Sequence, residues 1–153
     1  MRLCFAILIA AGLAGCGGHS VKIDPNAQPV ATRWNALLTT PAGLAGALQI
    51  RGMGWMGGKD ESKVEAHVEI TNASPGGRHP WHVHLGQCGT DRGILGDAKA
   101  YPILKVGGDG KADADAELDV PLPLQGQYFV NVHASPTNMG TIVACGNLAP
   151  PTR

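Results

Sequence analysis

Between Lys63 and Ile70 apolar and polar residues alternate without a break, Val64, Ala66, Val68 and Ile70 against Lys63, Glu65, His67 and Glu69. Successive side chains of an extended strand point to opposite faces, so this stretch reads as a strand with one face in a core and the other in water. Ala112, Ala114, Ala116 and Leu118 alternate with Lys111, Asp113, Asp115, Glu117 and Asp119 in the same way. Gly107-Gly108-Asp109-Gly110 supplies hairpin chemistry just before that second strand. Further strands are expected at Trp34–Leu38, Gly46–Gly52, Trp81–Leu85, Ile103–Val106, Tyr128–His133 and Ile142–Asn147. No segment carries a convincing helical period. Gly and Pro, 22 and 11 of 153 residues, disfavour helix interiors and supply turns between short strands. An all-β sandwich or barrel of eight strands follows, in one domain.

The charge balance narrows the partners. Lys plus Arg number 12 and Asp plus Glu number 12, so the basic excess of a nucleic-acid binder is missing.

The N-terminus reads as a targeting segment. Arg2 precedes an apolar run from Leu3 to Gly12 that is too short to span a bilayer. The run ends Leu13-Ala14-Gly15-Cys16, which resembles the lipobox of bacterial lipoproteins. That resemblance implies cleavage before Cys16, a diacylglycerol on its thiol, and a periplasmic location. With Gly17 and no Asp after the cysteine, it implies the outer membrane. The alternative is an ordinary signal peptide with an incidental cysteine. Residues 1–15 are then the signal and 16–31 a flexible tether with Gly17, Gly18, Pro25 and Pro29. Residues 32–153 form the folded domain. Cys88 and Cys145 remain in an oxidising compartment, most simply as a disulfide, otherwise as two separate buried thiols.

His79-Pro80-Trp81-His82-Val83-His84 is the stretch with chemistry in it. On a strand, His82 and His84 share one face while Trp81 and Val83 face the core. In Tyr128-Phe129-Val130-Asn131-Val132-His133, core-facing Val130 and Val132 leave His133 pointing outward. If the two strands are neighbours, three imidazoles converge, a donor set suited to Cu(II), with Zn(II) as the alternative.

The text around these histidines resembles the copper/zinc superoxide dismutases, in particular their bacterial periplasmic branch. The similarity runs in order from about Gly46 to Leu148. It rests on the His79–His84 stretch followed by Cys88, on Tyr101-Pro102 with the Asp109-Gly110 hairpin, on Val130–His133 and on Ala144-Cys145-Gly146. The resemblance implies an eight-stranded Greek-key β-barrel with copper held by His82, His84 and His133. His79 would brace the site by hydrogen bonding, and Cys88–Cys145 would be a disulfide anchoring a loop. Val130-Asn131-Val132-His133 is also similar to the chordin-type β domain, which often has no metal chemistry.

Other parts of the family pattern are missing. No histidine lies between His84 and His133, so the bridging and zinc-binding histidines have no counterpart and zinc is not expected. The family's zinc aspartate would fall near Ala100, and Asp97 is three residues away. Ile142 stands where the family has an arginine that attracts the superoxide anion; Arg78 and Arg92 are the nearby candidates to replace it. The sequence thus supports two functions. One is a copper oxidoreductase dismutating superoxide slowly; the other is a non-enzymatic copper-binding, carrier or interaction domain. Elsewhere, His67 is expected on a solvated face with Glu65 and Glu69, and Asp113, Asp115 and Glu117 on a solvated acidic one. His19 is expected to do nothing specific. Met53, Trp55 and Met56 are expected in an apolar loop, with soft copper donors as the alternative.

Overall fold

The computed structural model describes residues 32–44 and 49–151. The proposed signal, the tether, Cys16 and His19 lie outside the described residues. The domain is all-β as the alternation predicts, with ten strands: β1 (Trp34–Thr39), β2 (Arg51–Gly58), β3 (Val64–Thr71), β4 (Arg78–His79), β5 (Trp81–Gln87), β6 (Thr90–Ile94), β7 (Leu104–Lys105), β8 (Ala112–Leu118), β9 (Tyr128–Ser135) and β10 (Asn138–Leu148). Eight form one antiparallel sheet in the order β6-β5-β9-β10-β1-β2-β3-β8. β1, β2 and β3 are a meander. The chain then crosses to β5 and β6, returns to β8 beside β3, and crosses again to β9, which lies between β5 and β10.

The short strands β4 and β7 sit on two of those crossings and pair with each other, Arg78 opposite Lys105 and His79 opposite Leu104. The outer strands β6 and β8 of the curled sheet do not hydrogen-bond to one another. A 3-10 turn at Ala98–Ala100, after β6, touches β8 instead. The core lies inside the curl, with Trp34, Leu38, Met56, Val64, Ile70, Trp81, Leu104, Leu118, Val130 and Val132 almost wholly buried. Both buried indoles are satisfied: Trp34 Nε1–H donates to the Pro123 carbonyl at 3.0 Å and Trp81 Nε1–H to that of Pro102 at 2.8 Å.

The second strand differs from the expectation. Of the expected Gly46–Gly52, residues 46–48 lie outside the described residues, and the strand observed overlaps its end and runs from Arg51 to Gly58, so the Met53–Met56 stretch expected in a loop is sheet. Met56 is fully buried in the core, and Met53 faces outward opposite Leu37. The glycines of this strand are there for clearance. A Cβ on Gly52 would lie 2.1 Å from the Glu69 carbonyl oxygen, and one on Gly54 would lie 2.9 Å from Val130 Cγ2. Strands β4 and β6 carried no recognisable period; one has two residues and the other is exposed almost throughout.

The outer face of β8 is solvated as expected, with Asp113, Asp115 and Glu117 exposed, and its residues pair with neighbours on β3 and in the β2–β3 connection. His67 Nδ1 is 2.7 Å from Asp115 Oδ1, and its ring stacks on Trp55 with centroids 5.5 Å apart. Arg33 also lies over Trp55, 3.8 Å from the ring centroid. Glu117 pairs with Lys59 and Lys63.

Candidate metal centre

The period of two and the β5–β9 register together build the site. His82 lies opposite Asn131 and His84 opposite Phe129, while Trp81, Val83, Val130 and Val132 fill the core behind them. His133 N–H donates to the Pro80 carbonyl at 2.8 Å, which carries the pairing to the start of β5. His82, His84, Phe129, Asn131 and His133 therefore share the outer face of adjacent strands. That face is not open to solvent here, since His82, His84 and His133 are each 6% exposed or less. They are the one set of three or more His, Cys, Asp or Glu among the described residues with ligand atoms all within 4.8 Å of one another.

Hydrogen bonds fix which nitrogen each ring offers. His84 Nδ1–H donates to Asp91 Oδ1 at 2.8 Å, and His133 Nδ1–H donates to the Met139 carbonyl at 2.6 Å. Both rings then turn an unprotonated Nε2 inward. The Nε2 of His84 is buried without a partner. The Nε2 of His133 lies 3.2 Å from His82 Nδ1, which donates its proton there.

Two nitrogens bound to one tetrahedral ion at about 2.0–2.1 Å are themselves about 3.3 Å apart. The 3.2 Å separation and the orphaned lone pair of His84 thus fit a shared metal ion, provided His82 carries its proton on Nε2. Burial, and then the neighbouring His133 and His84, hold the His82 imidazole at a pKa of about 4. Burial likewise lowers His133, against the Met139 carbonyl, which raises it. Both rings are neutral at pH 7, as metal ligands must be.

The supports come from three different strands. His79 Nδ1–H donates to the His133 carbonyl at 2.9 Å, linking β4 to β9 behind the site. Asp91 is delivered by β6, directly after the disulfide that joins Cys88 to Cys145 on β10. The Met139 carbonyl reaches His133 because β10 bulges: four residues separate Asn138 from Ile142, while their partners Ser135 and His133 are two apart. Neither Asp91 nor Met139 was singled out in the sequence. A carboxylate seven residues beyond His84 carries no strand-period signal, and a backbone acceptor leaves none at all.

A groove of about 620 Å³ opens beside His133, lined by the disulfide, Asp91, Phe129, Asn131, Met139 and Ile142 among others. Ile142 stands opposite His133 in the ladder. Neither candidate arginine lines this groove. Arg78 borders a separate depression with Lys105 and Asp113, and the Arg92 stem lies beside Gly86. Asp97 caps the 3-10 turn, accepting from the Lys99 N–H at 2.9 Å.

No protein-family model matches the chain, and no curated protein is similar to it in sequence. Among solved structures it is similar to the clock protein EA4, with 19% identity and a TM-score of 0.51 over 80% of this chain and 96% of that one. It is also similar to a double mutant of a SOD-like protein from Bacillus subtilis, with 17% identity and a TM-score of 0.47 over 74% of this chain and 95% of that one.

Proposed function

We propose that this chain binds a copper ion through His82, His84 and His133, on a superoxide dismutase-like sheet tethered to a bacterial outer membrane by a lipid on Cys16. The observation that carries the reading is the convergence of three buried imidazoles, two of them with Nδ1 already committed to acceptors. Three nitrogen donors suit Cu(II) and also Zn(II), and the sequence resemblance favours copper. Copper held there would supply one-electron redox chemistry beside an open groove. The chain's own part is positional. Asp91 and the Met139 carbonyl fix the ring orientations of His84 and His133, and His79 ties the His133 backbone to β4.

Titration of the full chain with Cu(II) is expected to bind one equivalent, with affinity sharply reduced in His133→Ala. A wild-type chain that binds none would overturn the reading. The lipid anchor has its own test: Cys16→Ala is expected to abolish uptake of a fatty-acid label.

Dismutation is the second reading, and the same copper-loaded chain tests it. Fast turnover is disfavoured because Ile142 stands opposite His133 and no Lys or Arg among the described residues lines the groove. Such a site gives up the electrostatic focusing that accelerates anion capture about tenfold or more. A superoxide decay rate equal to that of His133→Ala would leave copper binding or handling as the function.

A further inference from the structure

Among the described residues, the groove beside His133 contains one ionisable group besides that histidine, and it is acidic. Asp91 lines it, whereas its other described walls are Pro41, the Cys88–Cys145 disulfide, Gly89, Phe129, Asn131, Met139, Gly140 and Ile142. The Asp91 side chain is 56% exposed while His84, which it holds, is 5% exposed, so the carboxylate bridges solvent and the buried ring. The second polar group at the wall points the same way. Asn131 is 3% exposed, lies opposite His82, and its Oδ1 is a buried acceptor with no partner. Approach to the site is thus lined with a negative charge and an acceptor. A carboxylate on the wall of a cleft raises the local concentration of cations and lowers that of anions.

We infer that this groove is an uptake path for a metal cation, in which Asp91 attracts the ion toward the three-histidine site and disfavours small anions at the loaded centre. This rests on the copper-binding reading and adds its ligand class: the molecule that enters is the copper cation itself. Asp91 acts as a positioning residue toward His84 and as a charge toward solvent. The two roles separate experimentally, because asparagine keeps the acceptor for His84 Nδ1–H and removes only the charge.

The test uses the full chain, with Cu(II) and azide as probes. The rate of Cu(II) uptake is followed by quenching of tryptophan fluorescence; azide affinity for the copper-loaded chain is followed by its charge-transfer absorption. In Asp91→Asn at low salt, Cu(II) uptake is expected to slow by about threefold or more and azide to bind about threefold more tightly. Both differences should shrink toward nothing in about 0.5 M salt, where the screening length falls to a few ångströms. Opposite signs for the two probes are what a charge produces and loss of ring support does not. Changes of the same sign, or none, would overturn the inference while leaving the copper site standing. Should Asp91→Asn fail to load, the wild-type chain decides: added salt must slow Cu(II) uptake and tighten azide binding, and the reverse sinks the idea. A wild-type chain that takes up no copper removes the site and this inference together.

Discussion

His82 Nδ1 lies 3.2 Å from His133 Nε2, although 51 positions separate the two residues. A metal ion between these rings must replace the proton they share, and acid must undo the arrangement. Burial and the neighbouring imidazoles set the His82 pKa near 4 instead of 6.5. The unfolded chain therefore binds a proton between about pH 6.5 and 4 that the folded chain refuses. In the metal-free protein this contribution to stability is complete above pH 6.5 and is lost as pH falls toward 4. Denaturant midpoints of the metal-stripped chain should drop across that window, and His82→Gln should flatten the fall. A midpoint independent of pH there would contradict the burial argument.

Removing a ligand is a larger perturbation than removing its support. His133→Ala takes away one of three donors and should weaken Cu(II) binding by about 100-fold or more, since losing a supporting hydrogen bond alone typically costs about 10–100-fold. Competition against a chelator measures it. His79→Ala leaves all three donors and should give the smaller loss.

The Cys88–Cys145 disulfide closes a loop of 57 residues between β5 and β10. Loop-closure entropy assigns such a link about 4 kcal/mol. Cys88→Ser should lower unfolding stability by about that amount in a chemical-denaturation series. Copper affinity should fall with it, because Asp91 follows Cys88 by three residues and holds His84. Unchanged affinity in the folded Cys88→Ser protein would show that β6 positions Asp91 unaided.

Gly52 has no room for a side chain, since a Cβ would lie 2.1 Å from the Glu69 carbonyl oxygen. Gly52→Ala must push β2 from β3 and should cost about 2–3 kcal/mol. Gly108→Ala, where an added Cβ meets nothing within 4 Å, is the control and should stay within about 0.5 kcal/mol of the parent.

Much of the fold is written locally. The alternation at Val64–Ile70 and at Ala112–Leu118 places β3 and β8, and the same period puts His82 and His84 on one face with Trp81 and Val83 behind them. Each assignment needs a few neighbouring residues, because side-chain direction in a strand repeats every two positions.

Tertiary structure decided the rest. Gly54 falls in a stretch that reads locally as loop and Gly52 at the end of a strand, yet in β2 both let backbone and side chains from β3 and β9 come close. The meeting of His133 with His82 depends on β9 lying beside β5, and the Met139 carbonyl reaches His133 through a bulge in β10. Asp91 and Ile142 acquire their meaning from cross-strand register. Periodicity along the chain determines which way a side chain points. Which strand lies alongside, and hence whether the mouth of the site is acidic or basic, is set by contacts between residues far apart in the sequence.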